Sequence, residues 1–140
     1  MSSRDIYGDA VKNALIKDGW AITEDPLRLA YGGKEVYVDL GAERTIAAEK
    51  NGQKIAVEIK SFLGKSDVKD LRDAIGQYVM YRDILLALKS ERILYLAVTE
   101  DIYRSVFETP FSRLFMEREK LNLIIFDPDQ EVIKQWIQQQ

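Results

Sequence analysis

A chain of 140 residues, 46% hydrophobic and 31% charged, has the balance of an ordinary globular domain and the length to bury a core of its own. It contains no cysteine and no histidine, which excludes disulfides, thiolate or imidazole metal sites, cysteine nucleophiles and serine triads; any catalysis falls to carboxylates, lysine or tyrosine. A net charge of -3 and a pI near 5.1 argue against nucleic-acid binding driven by phosphate neutralisation alone.

Residues 5–18 set Ile6, Ala10, Val11, Ala14 and Leu15 on one stripe ahead of Gly19, the pattern of an amphipathic helix and its stop. Extended segments follow at 20–23, 27–33, 35–40 and 45–50. Asn51–Gly52 then predicts a tight hairpin, because a type I′ turn needs positive φ at both central residues. That hairpin would pair 45–50 with "KIAVEIKS", 54–61, in which Ile55, Val57 and Ile59 alternate with Ala56, Glu58 and Lys60. The same alternation sets Tyr37 and Asp39 against Val36, Val38 and Leu40.

A long second helix is predicted over 66–88 from the spacing of Val68, Leu71, Ile75, Tyr78 or Val79, and Leu85 or Leu86. Gly76 in its middle costs about 1 kcal/mol against alanine and predicts a close neighbour there. "RILYLAVTE", 92–100, is apolar on both faces, as a central strand covered on both sides should be. Short helices are expected over 101–108 and 110–119, and a second buried strand over 121–127. Asp127, Pro128 and Gln130 read as the cap, first and third positions of a closing helix carrying Val132, Ile133, Trp136 and Ile137. The sum is one mixed α/β domain over 1–140, with helices on both faces of its sheet. No apolar run suits a signal peptide or approaches the ~20 residues that span a bilayer, so a cytoplasmic protein without membrane segments is expected.

The chemistry concentrates around the strand at 54–61. Asp39 and Glu58 lie 19 residues apart on segments a hairpin could unite, and Lys60 shares a strand face with Glu58. Two carboxylates with the carbonyl of Ile59 between Glu58 and Lys60 would offer the hard oxygen ligands that Mg²⁺ or Mn²⁺ prefers. A lysine beside them could neutralise charge developing on a phosphodiester. Taken alone, Glu58 and Lys60 read first as a half-solvated strand face. Lys65, Lys69 and Arg72 could meet phosphates, but Asp67, Asp70 and Asp73 alternate with them as on a self-compensating helix surface. Glu43 and Glu49 are further acids near this region.

The ordered set Asp39, then Glu58, any residue, Lys60, inside helix, strands, helix, strand, resembles the PD-(D/E)xK nuclease superfamily. That resemblance implies a restriction-endonuclease-like, three-layer α/β/α fold with a central mixed sheet. It also implies metal ligation by Asp39, Glu58 and the Ile59 carbonyl, with Lys60 assisting the attacking water. Gln77 and Tyr81, four apart and so on one helix face, match a pair that several of these nucleases use to contact nucleic acid or brace the site; the alternative is a pair of core or boundary side chains. Asp5 and Asp9 are candidates for the extra acid that some relatives supply from the first helix, against a reading as a solvated face. Over nearly the whole chain, through "RDIYGDAVKNALIKDGW", "YVDLGAE", "IAVEIKSFLG", "GQYVMYRDIL" and "FDPDQEVIKQWI", the sequence is similar to the XisH family, the fdxN element excision controlling factors of cyanobacteria. This implies a role in programmed excision of a DNA element beside a site-specific recombinase and a companion factor, XisI, with homo-oligomers also in view. Three functions are therefore carried forward: a Mg²⁺- or Mn²⁺-dependent nuclease, a non-catalytic protein-interaction module on a nuclease scaffold, and a factor that binds DNA junctions.

Overall fold

The computed structural model describes residues 4–44 and 52–139, without the side chains of residues 4 and 5. Helix α1 (Arg4–Lys17) opens the chain and stops at Gly19, whose φ of +93° needs a residue without Cβ. Strands β1 (Ala21–Glu24), β2 (Leu27–Tyr31), β3 (Lys34–Val38), β4 (Leu40–Arg44) and β5 (Gln53–Ile59) follow. Helix α2 (Asp67–Ala87) is capped by the Ser66 hydroxyl, which accepts the Lys69 N–H at 3.2 Å, and Asp67 and Asp70 place negative charge in its first turn. Then come β6 (Ile93–Thr99), the short α3 (Glu100–Ile102) running into one π-helical turn (Tyr103–Phe107), α4 (Pro110–Arg118), β7 (Leu123–Asp127) and β8 (Val132–Ile137).

Six strands form one mixed sheet in the order β1-β4-β5-β6-β7-β8, with β5, β6 and β7 parallel and the outer pairs antiparallel. Because side chains alternate across a sheet, each central strand feeds two cores. Ile55, Val57, Ile59, Tyr95, Ala97, Ile124 and Phe126 pack under α1. Ala56, Leu94, Leu96, Val98, Leu123 and Ile125 pack on the other side under α2 and the separate β2–β3 hairpin. The layers are helix, sheet, helix, as expected, and β6 is covered on both faces.

Several expectations change. Residues 35–40 are not one strand: β3 ends at Val38, and Leu40 begins β4 in the main sheet, so Asp39 sits at the joint. The predicted strand at 45–50 and Asn51 of the predicted turn lie outside the described residues. Gln53 pairs with Arg44, where a two-residue turn at 51–52 would have set it opposite Lys50. The partner of β5 is thus β4, which the sequence reading missed. Among the described residues Gly76 has no close neighbour: a Cβ built there meets nothing within 4 Å.

The closing helix is instead β8, an edge strand on β7. Asp127 does cap, accepting the N–H groups of Asp129 (2.8 Å) and Gln130 (3.0 Å), but the turn it caps ends at Glu131, where φ is +55°. The chain emerges extended, and Trp136 packs against both Trp20 and Tyr95, a contact the strand makes with residues of the α1-side core.

The α2-side core is tied by one hydroxyl. Fully buried Tyr78 donates to the Leu94 carbonyl (3.3 Å) and accepts the Asn122 N–H (3.0 Å). Tyr78→Phe removes both bonds from a dry site, so a loss of about 1–3 kcal/mol is expected. In urea the unfolding midpoint should fall with the slope unchanged.

Candidate functional site

The acids meet at the end of β5, where β4 has just begun. Leu40 pairs with Val57, so Asp39, one residue outside β4, lies level with Glu58 and Ile59. The N–H of Ile59 donates to Asp39 Oδ2 at 2.8 Å, and the N–H of Asp39 donates to Glu58 Oε1 at 3.2 Å. In a strand the N–H and C=O of one residue point the same way, so the Ile59 carbonyl faces the side that Asp39 occupies. Lys60 Nζ lies 3.7 Å from Glu58 Oε2, with both side chains largely covered. The structure therefore brings Asp39, Glu58, the Ile59 main chain and Lys60 together.

The solvated strand face is corrected. Glu58 is only 7% exposed, because β5 is central and its second face lies under α2. Burial above all, then the adjacent Asp39 carboxylate, raises the Glu58 carboxyl from an ordinary 4.5 to about 8, against the opposing pull of the Lys60 ammonium and the Asp39 N–H. A carboxyl–carboxyl hydrogen bond to Asp39 adds to the rise. The pair thus keeps a proton at neutral pH that two separated acids would have lost.

Helix α2 walls the site. Tyr81 is buried, and its O–H donates to the Tyr37 carbonyl at 3.1 Å, two residues ahead of Asp39. Burial, with lesser contributions from the Glu58 and Asp39 carboxylates, pushes its hydroxyl up to about 12. Tyr81 therefore braces the strand that delivers Asp39. Gln77 lies one helical turn before Tyr81 and one after Asp73, whose carboxylate feels Lys60. Its Oε1 is buried and has no hydrogen-bond partner among the described residues.

Other candidates fall away from the site. Asp9 is 93% exposed and lies 3.7 Å from Lys12, the solvated-face reading; the side chain of residue 5 and all of Glu49 are outside the description. Glu43 pairs with Lys54 and Arg92. Lys69 pairs with Asp73 at 2.9 Å, as on a self-compensating helix surface. Sequence reasoning missed the Tyr81–Tyr37 brace and the Ile59 N–H that holds Asp39. One signal was available: Ala56, a small residue on the Glu58 face, marks a strand under close cover.

The donor set suits a hard cation: two carboxylates whose mutual repulsion a divalent ion would relieve, and a backbone carbonyl on the same side. Among the described residues no group of three acids, histidines or cysteines could hold a metal. An ion here would complete its shell with water or substrate oxygens, as Mg²⁺ commonly does.

The model of the XisH protein family matches residues 1–134. The chain belongs to the XisH family. It is similar to the crystal structure of an XisH family protein from Nostoc punctiforme, at 41% identity and a TM-score of 0.87 over 95% of this chain and 99% of that one. It is also similar to that of an fdxN element excision controlling factor protein from Anabaena variabilis, at 40% identity and a TM-score of 0.85 over 96% and 99%. No functionally curated protein matches the sequence. Among the described residues of this XisH chain, no helix is long and apolar enough to cross a membrane.

The acid pair sets a pH dependence. Because Glu58 holds its proton to about 8 when folded and releases it near 4.5 when unfolded, the native state binds the extra proton, and stability falls as pH rises between those values. Glu58→Gln keeps an acceptor for the Asp39 N–H and mimics the protonated form. In EDTA its thermal midpoint should match the parent near pH 5 and exceed it increasingly toward pH 8; parallel profiles would show that the pair is not coupled.

Proposed function

We propose that this XisH chain is a controlling factor for site-specific excision of a DNA element, and that it acts on DNA phosphodiesters through Asp39, Glu58 and Lys60 with Mg²⁺ or Mn²⁺. The observation that carries this reading is the convergence of two carboxylates and an amine, from positions 19 residues apart, at one strand end. The excision role is supported by the likeness to the Anabaena variabilis controlling factor. The phosphodiesterase role is supported by the geometry and by the resemblance of the set to PD-(D/E)xK nucleases.

Asp39 and Glu58 would hold the ion, with the Ile59 carbonyl as a third donor. Once bound, Mg²⁺ or Mn²⁺ lowers the pKa of a water and offsets charge on the phosphodiester. The protein's own part is positional. The Ile59 N–H fixes Asp39, Tyr81 fixes the strand before it, and burial under α2 strengthens every charge interaction at the site. The ammonium of Lys60 can meet a phosphate oxygen from beside Glu58, while Gln77, whose amide oxygen is buried, braces the site beside Tyr81. A recombinase and an XisI-like companion complete the proposed assembly.

One observation favours the second reading, a non-catalytic nuclease-fold module that binds protein or a DNA junction: among the described residues the site has two acids, not three, and one of them is buried. Supercoiled, linear and branched DNA incubated with Mn²⁺ separates the two. The catalytic reading expects cleavage that Asp39→Asn and Lys60→Ala each reduce by about 10²-fold or more, with circular dichroism unchanged. Uncut DNA, together with excision that tolerates Asp39→Asn, would leave the module reading standing.

A further inference from the structure

Helix α2 has three faces, and the site and the core use two of them. Leu71, Ala74, Tyr78, Tyr81 and Leu85 are buried, while Asp73, Gln77 and Tyr81 run along the site. The third face points outward and carries Lys69, Arg72, Gly76, Met80 and Asp83, all exposed. Their spacing of three, four, four and three residues is palindromic about Gly76. Gly76 destabilises the helix interior relative to alanine, and nothing among the described residues needs its missing side chain, since a Cβ there meets none of their atoms within 4 Å. A groove of about 440 Å³ runs beside this stripe between α2 and α4, lined by Leu71, Arg72, Ile75 and Gly76 from α2 and by Phe111 and Phe115 from α4. Met80 at 56%, Val68 at 56% and Phe111 at 53% exposure leave apolar surface around it.

We infer that this face docks a second copy of the same chain, with the two α2 helices crossing antiparallel at Gly76. A two-fold axis through that residue makes the contact self-complementary. It sets each Lys69, which pairs with Asp73 in its own chain, opposite the second copy's Asp83, which pairs with Arg82 in its own, so that the contact extends these two pairs across the axis; it sets each Arg72 opposite the second copy's Met80. Opposite charges therefore meet at both ends of the stripe, and an apolar side chain arrives at the residue that walls the groove. The glycine lets the backbones approach at the crossing point, where a side chain would hold them apart. Parallel docking would instead set Lys69 against Lys69 and Asp83 against Asp83, which the charges oppose. The inference is independent of metal binding and cleavage, because Asp39, Glu58 and Lys60 lie on another side of α2.

Sedimentation equilibrium on the full chain, over a concentration series, tests it. The expected result is a mass approaching twice 16.1 kDa as concentration rises. Gly76→Glu, an exposed change with room in the monomer, should raise the dimer dissociation constant by about thirtyfold or more, with near-ultraviolet dichroism unchanged. Lys69→Glu and Asp83→Lys should each weaken the dimer, and the Lys69→Glu, Asp83→Lys double variant should restore it, which fixes the antiparallel register. A monomer at every concentration overturns the inference. So does a dimer indifferent to Gly76→Glu, or one whose charge-swapped double variant is no tighter than either single variant.

Discussion

The structure turns on a pair of crossed hydrogen bonds between Asp39 and β5. Strand β5 is paired along both edges and buried on both faces, so it has no water to satisfy its backbone. At its last residue, beyond the start of β4, the N–H of Ile59 finds a carboxylate, Asp39 Oδ2. The Asp39 N–H returns the bond to Glu58 Oε1. A side chain thus continues the ladder by one step, and in doing so it fixes the joint where the chain leaves the β2–β3 hairpin for the main sheet. The same two bonds set the acids against each other.

That placement has an electrostatic consequence. Two unit charges about 4 Å apart at an effective dielectric near 20 repel by about 4 kcal/mol, and one nearby ammonium at 3.7 Å offsets only part of that in a covered site. The pair responds by keeping a proton. For stability alone, an apolar replacement of similar volume would serve as well or better, since buried charges gain little against their desolvation. Acids tuned so far from their ordinary behaviour gather at sites where chemistry or binding uses them.

Helix α2 joins these themes. Its core face, through Tyr78, ties β6 to the chain ahead of β7. Its site face braces the hairpin through Tyr81 and closes over Glu58, while its outward face carries the glycine that nothing internal explains. One helix of 21 residues therefore couples core, site and surface, and a shift in its packing would be felt at Asp39 through Tyr37.

The sequence by itself determined the elements whose pattern is local: α1, α2, the doubly buried β6 and β7, and the Glu58–Lys60 spacing that one strand face imposes. It did not reveal β4, because Gly41 is a poor strand residue; it is glycine there because a Cβ would come within 3.0 Å of the Arg92 guanidinium and the Glu24 side chain, neighbours far away in sequence. It suggested a closing helix where β8 forms, because the Asp127 cap is the same local signal in a helix and in a tight turn, and only the edge of β7 and the aromatic cluster of Trp20 and Tyr95 chose between them. Residue types and spacing supplied the acids and the amine. Their convergence, the burial that keeps a proton on the pair, and the hydroxyl that braces Asp39 depend on strand order and layer stacking, which long-range packing sets and no short window of sequence contains.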